Sequence, residues 1–522
     1  MSIHEEAVAA FRYVYDQELR HKEELIAEKD QSLQEISTQL QAISGANQRL
    51  TAEVESKTAE VIRLEGEKEE LLSEIETLKN RIKELEQSEP TPAPIPVAGV
   101  TESVFAAPAN AKVVTPSTIQ SAISSAADGD TLVLRGGEYP PKLNIQKRLT
   151  LQPAAGEKAV FDGRGASTHV LVAKAPLNIR GLQFKNFNTP DGNKFEHGLL
   201  FPEGSSGSLI EFCTFEDFKG VSAKVSRAPI FRYNKGSMTI RNCEFYRSDQ
   251  GHLAGNALKG LVVENNLFSE SNQVVGPRDT SGGMKFTRVE DAAIQNNIIE
   301  NVNGQVAAIW FDVYCVGGKI LNNVIRNAGK SYVFIELCHD FVVANNRTEG
   351  TTQFAIWPFD SSSVRIWNNE VVGGTSWQIG IMQDNRRNDG SEGDARANGV
   401  SRNVEAVNNI LGSDYNLFQL YAMDEYKTYT PESRAEDMYS RIEGNRMPKG
   451  TRGAQVGWGR LNRQRDSLSL EQLEAGYPQV ARNNNMDKPV GLPADIAKML
   501  GVPAGTAKVG PILPAPVRAN PA

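Results

Sequence analysis

Two hydrophobic periods divide this 522-residue chain. From Leu33, Ile36, Leu40 and Ile43 through to Ile75, Leu78, Ile82 and Leu85, apolar residues advance by alternating steps of three and four, interrupted by Asn47, Lys57 and Lys68. About eight heptads in one register predict a coiled-coil helix. At 1.5 Å per residue it extends roughly 80 Å. An apolar stripe of that length has to be covered, so the chain is expected to associate with copies of itself. Ile75 and Ile82 with Leu78 and Leu85 favour two strands, whereas Leu33 and Leu40 with Ile36 and Ile43 favour higher orders. Asn47 serves as a register device. The rod ends at Gln87, and SEPTPAPIPVAGV follows as a stiff spacer.

The second period lies between Gly181 and Asn409. It repeats an apolar strand closed by an Asn pair: VVENNLF, AIQNNII, KILNNVI, VVANNRT and VRIWNNEVV. Looser copies read IRGLQF, IEFCTF and IRNCEF, and a late one reads EAVNNIL. Marks at Gly181, Phe212, Asn242, Asn265, Asn296, Asn322, Asn345, Asn368 and Asn408 recur every 23 to 40 residues, the signature of a solenoid. Each copy holds two or three short alternating strands with Gly, Asn or Ser between them and no room for a useful helix. The fold class expected is therefore all-β, a right-handed parallel β-helix preceded by a long α-helical coiled coil. Its turns would stack about 4.8 Å apart. Asn tolerates the left-handed corner conformation, and its amide can bond to the next Asn along the stack. The domains read as an N-terminal helical segment (1–32), the coiled coil (33–87), a Pro/Ala-rich linker (88–113), the β-helix (114–425) and a C-terminal cap with a loose tail (426–522).

Composition narrows the partners. Hydrophobic residues make up 40% and the net charge is −8, so a large core is available and no basic excess invites nucleic acid. Nothing approaches 18 consecutive apolar residues, so no membrane-spanning helix is expected. The first thirty residues lack the apolar core of a secretory signal, so synthesis and assembly in a cytoplasm are expected. Cys213 and Cys243 hold equivalent places in adjacent copies and are expected to stack inside as reduced, small apolar residues. Cys315 and Cys338 have no CxxC partner, so zinc is not expected.

Because turns superpose, residues at one offset become neighbours. That offset holds Lys285, Thr287 and Arg288 in SGGMKFTR, Asp312 in AAIWFDVY, Glu336 in YVFIELCHD, and Trp357, Phe359 and Asp360 in FAIWPFDSS. One copy earlier, HLAGNALKG offers His252, Asn256 and Lys259. Two chemistries use such a strip. Asp312 and Glu336 about 5 Å apart suit a retaining glycosidase, with their pKa values split by proximity. Alternatively Lys285 removes the C5 proton of a uronic acid while Arg288 neutralises its carboxylate, and a Ca²⁺ held by Asp312 and Glu336 acidifies that proton. Trp310 and Trp357 would be platforms for sugar rings, with Asp360, Asn256 and His252 as further contacts. The bland alternative is that charges on an exposed sheet serve solubility and the aromatics pack. His197, His252 and His339 show no pairing by spacing. After Gly374, DNRRNDGSEGDARANG reads as a loop overhanging the strip. From Tyr426 short helices would cap the far end, leaving GPILPAPVRANPA loose.

Residues 117–151 read as a short amphipathic helix, a Gly-Asp turn and a strand. The phrase GDTLVLRGGEY resembles the opening of the pectate-lyase-like superfamily of right-handed β-helices, in which such a helix covers the open end of the stack. KFTR, IWFD and FIEL are similar to a recurring pattern in bacterial β-helix repeat proteins. The NTD, DD, HG and RIK set of polygalacturonases is missing, as are the Asp and Arg series of pectate lyases and the Asn-Gly-rich motif of chondroitinase B and alginate lyases. Domain order resembles the tailspikes and tail fibres of tailed bacteriophages. That resemblance implies an oligomer, trimer before dimer, carried on a virion tail and binding or cleaving a cell-surface polysaccharide. The other readings are a bacterial polysaccharide lyase or glycoside hydrolase, cytoplasmic or exported without a signal, and a structural spike or adhesin with no catalysis.

Overall fold

The computed structural model describes residues 106–516, apart from 166–168, 190–197, 221–229, 234–235, 274–281, 305–306, 389, 392, 413–417, 426–432, 448–454 and 462–463. Nearer the N-terminus it describes residues 16, 19, 20, 22–41, 57, 58 and 63. The chain divides into two units, Met1–Pro96 and Val97–Ala522. In the first, residues 22–41 form one helix whose Leu33, Ile36 and Leu40 are 63%, 52% and 61% exposed. Most of the expected coiled-coil register, and the spacer after it, lies outside the described residues.

The second unit is a parallel β-helix. Three sheets of 14, 12 and 13 strands run its length, each strand hydrogen-bonded to its counterpart one repeat away. One repeat is Met284–Thr287 in the third sheet, Ala293–Gln295 in the first and Ile298–Val302 in the second. The next is Ala307–Asp312, Lys319–Leu321 and Val324–Ala328. Among the described residues all the strand pairs are parallel except the last of the third sheet, Val456–Gly459 with Arg465–Leu468. Alternation explains the core: Ile294 pairs with Ile320, and Ile320 with Val343, all inside. Beside that column Phe161, Phe184, Phe215, Phe245 and Phe268 stack with centroids 4.6 to 5.2 Å apart.

The Asn pair divides its two tasks. The first member makes the corner: Asn265, Asn296, Asn322, Asn345, Asn368 and Asn408 all have φ between 52° and 60°. The looser marks Gly181, Phe212 and Asn242 share that conformation at 61°, 57° and 54°. The second member turns inward and forms the ladder. Asn266 Nδ2 donates to Asn297 Oδ1 at 3.0 Å, and the same 2.9 to 3.0 Å step repeats through Asn323, Asn346, Asn369, Asn409, Asn445 and Asn484. Each amide thereby satisfies corner peptide groups that the sheets leave over.

The helix Ile119–Ser125 contributes buried Ile119 and Ile123 to one end of the core. Leu470 and Leu473 of the helix Leu470–Gly476 join the core near its other end. All four cysteines are buried free thiols. Beyond that helix the chain departs from the expected cap and loose tail, because it returns along the outer face of the first sheet. Leu492, Ile496, Ala497 and Leu500 cover Leu321, Val342, Ala344, Trp367 and Val407. The corner asparagines explain the path, since their amides face out and take peptide groups. Asn408 Nδ2 donates to Val490 O at 2.7 Å, Asn368 Nδ2 to Gly510 O at 3.1 Å, and Asn345 Oδ1 accepts from Leu513 N at 2.9 Å. Residues 517–522 lie outside the described residues. No helix among the described residues is long and apolar enough to cross a membrane.

Candidate functional site

The third sheet brings the expected strip together. In register, Lys285 pairs with Trp310, Trp310 with Phe334 and Phe334 with Trp357. Two residues on, Asn256 pairs with Thr287 and Thr287 with Asp312, while Glu336 pairs with Phe359 and Phe359 with Met382. The Phe311–Ile335 pair sets Asp312 beside Glu336. Ile309, Phe311, Val333 and Ile335 lie in the core. By the period of two, the residues between and after them, Trp310, Asp312, Phe334 and Glu336, stand on the outer face.

Those side chains form one connected cluster. Lys285 Nζ lies 3.0 Å from Asp312 Oδ2 and 3.4 Å from the centroid of the Trp310 ring. Trp310 Nε1 donates to Glu336 Oε2 at 3.0 Å. Arg386 Nη1 donates to Glu336 Oε1 at 2.5 Å, Arg386 Nε donates to Asp384 Oδ2 at 2.8 Å, and Asp384 N donates to Asp360 Oδ1 at 2.7 Å. Arg386 Nη2 is 3.1 Å from Asp360 Oδ2, close enough for charge attraction but without an aligned hydrogen bond.

The cluster is largely covered: side-chain exposure is 9% for Lys285, 13% for Asp312, 10% for Glu336 and 0% for Asp360, against 38% for Arg386. Burial raises the Glu336 carboxyl, and the charge of Asp312 raises it further, against the pull of Arg386. Burial, with the hydrogen bonding to Asp384, pushes Asp360 up to about 9. Asp384 goes the other way: burial alone would raise it, but its bonds with Asp360 and Arg386 hold it low. The guanidinium of Arg386 is held charged by Glu336 and Asp384 in spite of burial. Two of the buried carboxyl groups, Glu336 and Asp360, are thus shifted upward and Asp384 downward, the arrangement in which acid and base roles separate.

The remaining expected residues fall elsewhere. Asn256 Oδ1 accepts from the Thr287 hydroxyl at 2.8 Å, one repeat before Asp312. Arg288 sits in the corner after its strand at φ 53°, its guanidinium 5.9 Å from the Tyr314 ring. His252 precedes the strand Leu253–Asn256 and is turned inward, its Nε2 3.0 Å from Ser269 O and its ring 5.8 Å from Phe245 and 5.9 Å from Phe268. Burial there lowers its pKa to about 3. Trp310 and Trp357 are each 6% exposed. Lys285 and Phe334 lie against the first; Phe334, 4.3 Å away, and Lys330, 5.0 Å from the ring centre, lie against the second. They belong to an apolar cluster outside the core, with Phe334, Trp377, Phe418 and Tyr421. Among the described residues no three His, Cys, Asp or Glu are grouped so as to hold a metal ion. The expected Ca²⁺ would have to compete with Lys285 and Arg386 for Asp312 and Glu336.

A family model described as the right handed beta helix region matches residues 200–376. The unit Val97–Ala522 is a right-handed parallel β-helix. Among solved β-helices it is similar to the PL6 family polysaccharide lyase Pedsa3628 from Pseudopedobacter saltans, at 15% identity over 78% of this chain and 98% of that one, with a TM-score of 0.49. It is similar too to the A-module of the mannuronan C-5 epimerase AlgE4 from Azotobacter vinelandii, at 13% identity over 64% and 98%, with a TM-score of 0.36. A PL6 alginate lyase in complex with a trisaccharide gives 12% identity over 79% and 94%, with a TM-score of 0.42. No curated protein matches the chain.

Sequence reasoning missed Arg386 and Asp384 as members of this β-helix's cluster. They belong to the polar insertion after the strand Gly374–Gln383, which carries no repeat mark. The loop was expected to overhang the strip; which of its charges enters was unmarked.

Proposed function

We propose that this β-helix binds a carbohydrate polymer along the outer face of its third sheet. The observation that carries the reading is the row of partly exposed side chains Asn256, Thr287, Asp312, Phe359, Met382 and Met423, broken by the buried Glu336 between Asp312 and Phe359. It runs along the helix axis beside the outer aromatic cluster and under Arg386, whose guanidinium is 4.9 Å from the Phe359 ring. Residues recur in it every ~4.8 Å, so an extended glycan meets hydroxyl-binding groups first and apolar ring faces further on. Arg386, 38% exposed, is a cation that a bound chain can meet there.

A second reading, cleavage, is favoured by Glu336 alone. Burial and the neighbouring Asp312 shift its carboxyl upward, so Glu336 would act as the acid and Asp312 as its partner on a glycosidic bond. Lys285 serves to hold Asp312, and Arg386 to orient Glu336.

We further propose that the chain works as an oligomer of tailspike type, trimer before dimer. Leu19, Leu25, Ile26, Leu33, Ile36 and Leu40 are 44% to 63% exposed on the N-terminal helical segment, a stripe that copies of the chain would cover.

The test is to pass host capsule, uronate polymers and neutral polysaccharides over immobilised protein, then incubate the binders with it and assay reducing ends and unsaturated uronate absorbance. Binding that Arg386→Ala weakens at least tenfold supports the first reading. New reducing ends that Glu336→Gln abolishes support the second. A face that binds none of these polymers overturns both. Light scattering of the full chain as a monomer overturns the oligomer.

A further inference from the structure

Lys285, Asp312 and Glu336 have a relation that carbohydrate binding does not require. Lys285 and Asp312 stand on adjacent parallel strands, diagonal to each other, since Lys285 pairs with Trp310 and Asp312 with Thr287. A long side chain facing a short one across that diagonal brings Nζ to 3.0 Å from Oδ2. The pair is covered, at 9% and 13% exposure, with the ammonium against the Trp310 ring. Two opposite charges out of water are costly to keep. A third group, Glu336, stands one repeat further on in the same row, its Oε2 tied to Trp310 Nε1.

We propose that Lys285 and Asp312 join in an intramolecular amide bond, with Glu336 as the proton carrier. One proton moves within the pair from the ammonium to the carboxylate. The neutral Nζ then attacks Asp312 Cγ, and an N–C bond forms. Glu336 takes a proton from the attacking nitrogen and passes it to the leaving oxygen, the C–O bond breaks, and water departs. The ammonium and carboxylate become an amide and one water, so no oxidant, nucleotide or other reactant is needed. Burial and Asp312 raise the pKa of Glu336, which suits it to hold that proton in transit. The product would staple the strand Met284–Thr287 to Ala307–Asp312 and remove a buried ion pair. It holds whether or not the face binds glycan. It excludes Asp312 from the cleavage described above, so the two are decided by different readouts.

The experiment is an intact mass of the full wild-type chain, followed by trypsin digestion. A linked chain is about 18 Da, one water, lighter than its sequence. It yields residues 279–288 joined to residues 289–319, with no cleavage at Lys285. Lys285→Ala restores the sequence mass, and Glu336→Gln leaves most of the chain unlinked. A wild-type mass equal to the sequence, with free peptides ending at Lys285 and containing Asp312, overturns the proposal. So does a loss of water mapping to any other residues. The measurement on wild-type protein needs no variant to fold.

Discussion

Replacing Asn346 by Ala tests whether the inward Asn ladder holds the repeats together. The Asn346 side chain is 1% exposed and makes four well-formed bonds: Nδ2 to Ile320 O at 2.8 Å and to Asn369 Oδ1 at 3.0 Å, and Oδ1 from Asn323 N at 2.9 Å and Asn323 Nδ2 at 3.0 Å. Each is worth about 1 kcal/mol net, and more where the group left behind is buried without a partner. The Asn323 peptide N–H becomes such a group, so the loss comes to about 4 kcal/mol. With an unfolding entropy near 2.1 cal/mol/K per residue over roughly 400 residues, that lowers Tm by about 5 °C.

Asn322 supplies the comparison. Its φ is 52°, and its side chain makes one bond to Asn296 and one from Asn345, both at 2.7 Å. Asn322 and Asn345 are covered, at 8% and 0% exposure, but only these two bonds are lost, against the four of Asn346. Asn322→Ala therefore loses about 2 kcal/mol. Melts of the two variants by far-UV circular dichroism, at one scan rate because large chains unfold irreversibly, should separate them about twofold. Equal shifts, or a larger one for Asn322→Ala, would refute the division of labour within the pair.

Arg386→Ala leaves Glu336 and Asp384 without their cation; because Arg386 is 38% exposed, water screens part of the loss, which is about 1–3 kcal/mol by chemical denaturation. Asp360 titrates near 9 when folded and near 4 when unfolded, so the folded state binds the extra proton between those values, and its contribution, full below about pH 4, is lost as pH rises to about 9. Asp360→Asn should accordingly lose less stability than wild type between pH 6 and pH 9; an identical slope contradicts the assignment. At Gly380 a Cβ would come within 2.1 Å of the Trp377 indole, so Gly380→Ala must displace that ring from its stack on Tyr421, now 4.5 Å away. Tryptophan emission should shift to the red with a loss of about 1–3 kcal/mol, and unchanged emission would show that the slot is not shaped by the glycine.

The β-helix was legible because one conformational demand repeats in the text. A left-handed corner of each repeat takes Asn at small cost, so the NN pairs mark it, and even Phe212 and Gly181 could be placed by offset. Once the corners are aligned, the register of the third sheet follows, and with it the adjacency of Lys285, Asp312 and Glu336 on one wall. What was illegible breaks the repeat. Arg386 and Asp384 come from an insertion whose length obeys no period, and the sequence around them is a run of interchangeable charges. His252 precedes its strand by one residue, where alternation no longer decides which way a side chain turns. The C-terminal segment has no strand signal, and it docks through peptide groups that any sequence possesses. The part of a solenoid that can be read in advance is thus the part that every turn copies. The pKa of Glu336 is raised by burial and by the charge of Asp312, both of which the repeat sets, while Arg386 opposes them from an insertion outside the copying.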